Sequence, residues 1–194
     1  MNYHKSLFYR SDYYTFTRPA AHLLSLVSGV DEECIRRVNV MKKGLGHEYP
    51  LYNPYKGGGA ITIGANSYNT TITLTENYFS DNKKDYDGNG FGQNIDEWLD
   101  ISSHEVKHIK HIGESNSIIK YLFRFGLNYF KYGHDSTPEE IDAEKSRTKY
   151  RDFTNYLDKN FEKGCLQQLF NENMTDGQKI KQIDDWWKEY EKEK

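Results

Sequence analysis

The feature that most constrains this chain is the run His104-Glu105-Val106-Lys107-His108. It lies in a stretch whose apolar residues recur every three or four positions, which predicts an amphipathic helix. Residues four apart lie one above the other on a helix, so His104 and His108 can direct two imidazole nitrogens to one metal ion. Glu105 stands between them as a carboxylate for proton transfer. The rest of the chain must therefore supply a third ligand, a substrate platform and a core.

The helix that carries this motif has recognisable ends in the sequence. Asn94, with Glu97 three residues later, is typical of a helix N-cap, and Gly113 predicts the stop. Beyond that glycine, apolar spacing predicts a second helix over Ser117–Tyr132. We expect this second helix to pack on the motif helix through Ile118, Leu122, Phe125 and Tyr129.

Strands are predicted ahead of the motif helix. Ala60–Ile63 and Thr70–Leu74 alternate apolar with polar or β-branched residues, and Gly64–Asn66 supplies turn chemistry between them, so we expect a hairpin. Before the hairpin, the sequence predicts an irregular or short-strand lead-in over Met1–Thr17. A short helix is predicted over Ala20–Val27, with Pro19 in its first turn and Gly29 just past its end. A short helix or strand is expected over Asp31–Met41.

The C-terminal part is predicted to be helical. Thr137 followed by Pro138 predicts a third long helix that runs to about Phe161, and the tail from Thr175 predicts a last amphipathic helix over 175–194. We expect one domain over 1–194, with its core at about 60–163. Its fold class is predicted to be α+β, mainly helical, with a small antiparallel sheet before the motif helix.

Composition narrows the classes of partner. Lys and Arg number 26 against 29 Asp and Glu, and both signs are interspersed, so we expect neither nucleic acid nor a membrane as partner. No basic start precedes an apolar run near Met1, and charges interrupt the longest apolar stretch, Ile118–Phe130, so we expect no signal peptide or transmembrane segment. Localisation stays open between the cytoplasm and export as part of, or alongside, another protein. Cys34 and Cys165 are expected to be free, buried thiols.

His111 extends the motif to H-E-x-x-H-x-x-H and raises the question whether three histidines share the ion. At 1.5 Å per residue, His104 and His111 lie about 10 Å apart along the axis, too far for one tetrahedral site. Metalloproteases with three histidine ligands break the helix with a glycine before the last ligand, and His111 itself occupies that glycine position. We therefore predict that His111 supports a ligand or faces solvent.

The third ligand is expected on the helix that begins at Pro138, in the run Pro-Glu-Glu-Ile-Asp-Ala-Glu. Glu140 and Glu144 share one face of that helix, and we assign the ligand to Glu140, with Glu144 as the alternative. Thr137 and Glu140 also fit a capping box, in which the carboxylate bonds a backbone N–H instead. Asp142 or Glu144 would then orient a ligating histidine through its other ring nitrogen.

These motifs resemble a known class of domain. They are similar to small zincin-like metallopeptidase domains of the gluzincin type, which have the form H-E-x-x-H, a helix, then P-x-E-x-[ED]-A. Such domains occur alone and as C-terminal modules of bacterial Rhs-type and other polymorphic-toxin proteins. The residues that carry the resemblance are His104, Glu105, His108, Pro138, Glu140, Asp142 and Ala143.

The resemblance covers roughly Ala60–Lys145. It implies a zincin-like fold and a zinc ion bound by His104, His108 and Glu140, with Glu105 as the general base. It also implies a peptide or protein substrate. Aspartate at position 142 replaces the more usual glutamate of the class.

Two kinds of function are compatible with such a site. In a metallopeptidase, three protein ligands leave an open position for water, and Glu105 takes the proton. The oxyanion stabiliser is then expected among Tyr121, Tyr129, Tyr132 and His134, and a strand of the hairpin can pair with an extended peptide. The alternative is a catalytically silent interaction or toxin-associated module, in which a fourth protein ligand closes a structural metal site.

The loop before the motif helix suggests a second cation. Asp85, Asp87, Asn89 and Asp96 fit the ligand spacing of an EF-hand calcium loop, with glycine at the sixth position. Gly92 stands where an apolar residue normally anchors that loop, and the last ligand is aspartate rather than glutamate. A solvated turn is therefore the favoured interpretation, with Ca²⁺ the alternative.

Overall fold

The computed structural model describes residues 7–10, 14–42, 60–74, 95–115, 117, 119–121, 123, 127, 128, 131 and 136–194. Within these residues the chain forms one β-sheet and a set of α-helices, so the predicted α+β fold class is confirmed. No helix in this part of the chain is long and apolar enough to cross a membrane.

The regular elements are β1 Phe8–Arg10, β2 Tyr14–Phe16, α1 Arg18–Ser28, α2 Glu32–Arg36, β3 Asn39–Lys42, β4 Ala60–Asn66, β5 Asn69–Leu74, α3 Ile95–Ser115, α4 Pro138–Asn160, α5 Cys165–Asn171 and α6 Asp176–Lys192. Between α3 and α4, every described residue from 119 to 131 is helical. We call these described residues the connecting segment. Helix α5 has no counterpart in the sequence-based prediction.

The sheet is larger than the predicted hairpin and is mixed rather than antiparallel. Its strand order is β1-β2-β3-β5-β4, and β3 pairs with β5 in parallel. The hairpin is present as β4 and β5, but β4 continues to Asn66, which pairs with Asn69, so the turn falls at Ser67 and Tyr68. Gly64 is therefore a strand residue. A Cβ there would lie 2.6 Å from the Asn69 carbonyl oxygen, so the two strands need glycine at this position.

Helix α1 forms where the sequence predicts it. Pro19 lies in its first turn, where an N–H has no intrahelical partner to lose, and Gly29 ends it in the left-handed conformation with φ 66°. The stretch predicted as a helix or a strand, Asp31–Met41, contains both. Asp31 caps α2 through its side chain, and β3 follows directly.

Helix α3 is the centre of the core, and it contacts α1, α4 and β4. The prediction that this helix stops at Gly113 was wrong, because the helix continues to Ser115. A Cβ at position 113 would lie 3.1 Å from the Ser67 Cβ, so this glycine lets the hairpin turn approach the helix closely. The buried apolar residues of α3 are Ile95, Trp98, Leu99, Ile101, Val106, Ile109 and Ile112.

Two lysines join α3 and α4 to the end of α1. Lys107 Nζ donates to the Ser28 carbonyl oxygen at 2.9 Å, and Lys149 Nζ donates to that of Leu26 at 3.1 Å. The last carbonyl groups of a helix lack intrahelical partners and carry partial negative charge, so cations stabilise them. Three helices therefore meet at the C-terminus of α1.

The C-terminal helices agree with the prediction in their starts. Thr137 caps α4, and Thr175 caps α6 through a complete capping box with Gln178. Trp186 is buried, and Trp187, which is partly buried, lies 5.0 Å from Phe153 between ring centroids. Both tryptophans thus contribute to the core.

Of the remaining fold predictions, one is confirmed and the others concern residues outside the described ranges. Cys34 and Cys165 are free and buried, as predicted. The positions of the second helix that were expected to face the core, Ile118, Leu122, Phe125 and Tyr129, lie outside the described residues, as does the predicted cap Asn94.

Asp96 and Tyr150 form a pair between α3 and α4. Tyr150 Oη donates to Asp96 Oδ1 at 3.2 Å. Burial raises the pKa of Asp96 above its ordinary value, and the hydrogen bond from Tyr150 only partly offsets this. Asp96 is therefore best tolerated by the fold when protonated, and its contribution to stability is lost as the pH rises through its raised pKa.

We expect Asp96→Asn to raise the free energy of unfolding at about pH 7 and to leave it nearly unchanged at about pH 3, where Asp96 is protonated in both states. Urea unfolding at the two pH values measures this difference. Asp185→Asn is the control with the opposite sign, because the hydrogen bond from Lys181 lowers the pKa of Asp185. A gain of equal size at both pH values would contradict the account of Asp96.

Candidate metal centre

His104 and His108 lie one turn apart on the side of α3 that faces α4. Their ring centroids are 5.2 Å apart, and His108 is buried while His104 is partly buried. One turn earlier, Asp100 accepts hydrogen bonds at 2.7 Å from both Arg147 and Arg151 of α4. These bonds hold the two helices together beside the histidines.

Glu140, in the first turn of α4, completes a cluster with the two histidines. Its Oε2 lies 3.1 Å from His104 Nε2, and its Oε1 lies 3.5 Å from His108 Nε2. The three potential ligand atoms all lie within 4.8 Å of one another. The structure therefore brings together the three predicted ligands in a group that can hold a metal ion.

The T-x-x-E pattern around Glu140 serves two purposes. Thr137 Oγ1 accepts a hydrogen bond from the Glu140 backbone N–H at 3.2 Å, so Thr137 is a helix cap. The Glu140 carboxylate, in contrast, lies against the histidines. The sequence left the Glu140 carboxylate as either a cap or a ligand. In the structure the Glu140 backbone N–H takes part in the cap, and its carboxylate lies where it could bind a metal.

Glu144, the alternative third ligand, lies outside the cluster. Its Oε2 is 3.4 Å from His104 Nδ1, on the ring side opposite Glu140, and its side chain is exposed. His104 Nδ1 is buried and makes no hydrogen bond within the described residues. A small rotation of Glu144 would give this nitrogen an acceptor, which a ligating imidazole requires.

The pKa of His104 is raised. Burial alone would lower it, but the hydrogen bond with Glu140 and the charges of Glu105 and Glu140 outweigh burial. A metal ion bound to Nε2 of His104, the nitrogen that contacts Glu140, therefore competes with a proton. We expect binding of a metal to this cluster to release protons and to weaken as the pH falls.

His111 lies behind His108 rather than among the ligands. The two Nδ1 atoms are 3.4 Å apart, and His111 Nε2 is 3.1 Å from Asp142 Oδ2. If His108 binds a metal through Nε2, its Nδ1–H donates to His111, whose Nε2–H donates in turn to Asp142. His111 is buried, so it does not face solvent, and it connects Asp142 to His108; its support of a metal ligand stays a prediction.

Lys107 extends this chain of contacts. Its Nζ is 3.4 Å from Asp142 Oδ2, in addition to its bond with the Ser28 carbonyl. Burial raises the pKa of Asp142, but the hydrogen bond from His111 and the charge of Lys107 outweigh that effect and lower it. These contacts favour the ionised form of Asp142, which is the stronger acceptor for His111.

Glu105 is held by a residue that the sequence analysis missed. Thr62, in β4, donates its hydroxyl to Glu105 Oε2 at 2.6 Å, and both side chains are buried. Burial raises the pKa of the Glu105 carboxyl, while His104 and the Thr62 hydrogen bond lower it in part. The alternation of β4 could have indicated that Thr62 faces inward, but its partner on a distant helix has no local signal.

Only some of the other predicted site residues lie within the described part of the chain. Among the predicted oxyanion stabilisers, Tyr121 is buried, whereas Tyr129, Tyr132 and His134 lie outside the described residues. Asp85, Asp87 and Asn89 of the calcium loop also lie outside them. Asp96 lies in the first turn of α3 and accepts from Tyr150. The calcium loop stays a prediction.

Comparison with models of known protein families, with curated proteins and with solved structures gives no match for this chain. The assignment of the site therefore rests on its geometry and on the chemistry of its residues.

We expect Thr62→Val to lower the free energy of unfolding by about 1–3 kcal/mol at neutral pH, because valine keeps the volume but leaves a buried carboxylate without its donor. Thr62→Ser should recover most of this loss. Urea unfolding measures both variants.

Thr70→Val is the matched control. Thr70 is also a buried β-strand threonine, but its hydroxyl donates to the backbone carbonyl oxygen of Asn66 at 2.9 Å rather than to a carboxylate. The loss in Thr62→Val should grow as the pH rises and Glu105 ionises, and the loss in Thr70→Val should not. Parallel pH dependence of the two variants would refute the contact between Thr62 and Glu105.

Proposed function

We propose that this protein is a zinc-dependent metallopeptidase of the zincin-like, gluzincin type. The observation that carries the proposal is the approach of Glu140 to both His104 and His108, with the buried Glu105 on the same helix turn. Two imidazoles and one carboxylate form a donor set found in catalytic zinc sites. Calcium and magnesium prefer sets made of oxygen alone.

The number of ligands supports a catalytic rather than a structural site. Among the described residues, the group that can hold a metal has three members, which leaves a position open for water. The silent module that we consider as the alternative needs a fourth protein ligand. Two candidates for that ligand, His111 and Asp142, instead lie 3.1 Å from each other, and His111 contacts the cluster through His108.

The residues of the chain divide the chemistry between them. When bound, zinc would supply Lewis acidity, which lowers the pKa of water and polarises a carbonyl. Glu105 accepts the proton of the attacking water and returns it to the leaving amine. Its raised pKa brings the carboxyl closer to the operating pH, as efficient general bases require. Because Oε2 accepts from Thr62, we assign the proton to Oε1.

The substrate that suits this site is an extended peptide or protein segment. Strand β4 lies at one edge of the described sheet and contains Thr62, which contacts the general base. An edge strand offers unpaired backbone groups that an extended peptide can bond. A peptide that pairs with β4 would therefore pass beside Glu105.

We expect Glu105→Gln to retain the metal and to lose peptide cleavage by about 10²–10⁴-fold, because the amide cannot accept a proton. Glutamine still accepts a hydrogen bond from Thr62, so the local fold is kept. Cleavage of a peptide library, with metal content determined on the same samples, measures both effects. Unchanged cleavage would refute the assignment of Glu105.

Glu140→Gln and Glu144→Gln separate the ligand from its neighbour. The first should lower the metal content and cleavage together, and the second should leave the metal content close to that of the wild type. Equal loss of metal in both variants would contradict the assignment of Glu140. Retained metal with no cleavage of any peptide by the wild type would favour the structural alternative.

A further inference from the structure

The connecting segment carries an exposed apolar stripe. Ile119, Phe123 and Leu127 are 75%, 69% and 55% exposed, respectively. Each of the three is helical, and a spacing of four residues places side chains on one face of a helix. Single exposed apolar residues are common on protein surfaces, but a row of large ones indicates a surface that binds something.

The segment is attached to the rest of the protein on its other side. Tyr121 is buried, and Asn128 Nδ2 donates to both carboxylate oxygens of Glu139 at 3.1 and 3.3 Å. Glu139 is itself buried, in the first turn of α4. The stripe is therefore the outer face of an anchored segment rather than part of a loose end.

The charged residues among the described residues of the connecting segment have one sign. Lys120 and Lys131 are exposed in the connecting segment. In the sequence, no acidic residue occurs between Glu114 and Asp135, while Arg124 adds a further basic residue. The whole chain has a net charge of −3, which led to the expectation that no membrane is a partner. The net charge does not reflect this local stretch, which is basic and rich in aromatic residues.

We infer that the stripe docks on the surface of an anionic lipid bilayer, with Ile119, Phe123 and Leu127 in the interface. A helix that lies in a membrane interface combines bulky apolar residues on one face with lysine and arginine beside them. Apolar side chains enter the boundary between headgroups and acyl chains, and each nearby lysine or arginine is attracted to the negative surface. The contact needs no helix long enough to span the bilayer.

The charge pattern favours a bilayer over a second copy of the chain. A symmetric dimer through this stripe would bring the same face of both copies together, with Lys120 and Lys131 near the lysines of the other copy. Like charges at close range disfavour that contact. An anionic bilayer offers an apolar layer and negative headgroups together.

A side-chain hydrogen bond connects the segment that carries the stripe to the helix of the candidate metal centre. Asn128 bonds Glu139, which immediately precedes Glu140. Docking would therefore hold the first turn of α4 close to the lipid surface. The inference itself does not depend on the proposed peptidase activity, because lipid binding is measured without a substrate or a metal.

The test is flotation of the full chain with large unilamellar vesicles of phosphatidylcholine, alone or with about 30% phosphatidylglycerol. We expect binding to the anionic vesicles, at least about fivefold weaker binding to the neutral ones, and a decrease at high salt. Absence of binding to the anionic vesicles, or equal binding to both kinds, would overturn the inference.

Variants locate the contact. Phe123→Ser and Leu127→Ser should each lower vesicle partitioning by roughly tenfold or more, because each removes a large apolar group from the interface. Lys120→Gln should lower it by about fivefold. Circular dichroism and thermal unfolding establish that each variant is folded.

Tyr68→Ser is the matched control, because Tyr68 is 55% exposed and lies in the hairpin turn, outside the stripe. It should bind vesicles like the wild type. Equal losses in Tyr68→Ser and Phe123→Ser would overturn the assignment of the stripe. Light scattering on the free protein gives the remaining outcome: a dimer that Phe123→Ser dissociates, without vesicle binding, would assign the stripe to self-association and reject the lipid contact.

Discussion

The approach of Glu140 to His104 and His108 is the contact on which the organisation of the site depends, because it joins the two longest helices through polar groups. A carboxylate and two imidazoles gather at such distances when a proton or a metal ion is shared among them. The helices must therefore be held in register by other contacts. Asp100 provides one, since it binds two arginines of α4, and the burial of α3 against α1 and β4 provides the rest.

The sheet contributes to the same site through β4, which packs on α3. Strand β4 brings Thr62 to Glu105, and the glycine at position 113 lets the hairpin turn lie close against the helix. A larger residue there would have to displace Ser67. Lys107 connects the motif in another direction, to Asp142 and to the end of α1. The residues of the H-E-x-x-H run thus contact a strand, a neighbouring helix and a helix terminus.

The parts of this account that depend on local rules could be predicted from the sequence. Periodicity places His104 and His108 on one helix face, and the Thr-Pro start of α4 places Glu140 in its first turn. Contacts between distant segments could not be predicted in the same way. Thr62 has no local mark of its partner, and the parallel pairing of β3 with β5 joins residues far apart in the chain. The predicted helix stop at Gly113 was wrong because this glycine is explained by close packing against Ser67 rather than by helix termination.

The central claim is that one zinc ion binds between α3 and α4 at these three side chains, and anomalous diffraction tests it most directly. Crystals of the full chain, grown without added metal, would be measured on both sides of the zinc absorption edge. The account predicts one anomalous peak that disappears below the edge, at about 2.0–2.2 Å from a nitrogen of His104, a nitrogen of His108 and a carboxylate oxygen of Glu140. A peak bound by His111 in place of Glu140, or no peak between three intact side chains, would contradict it.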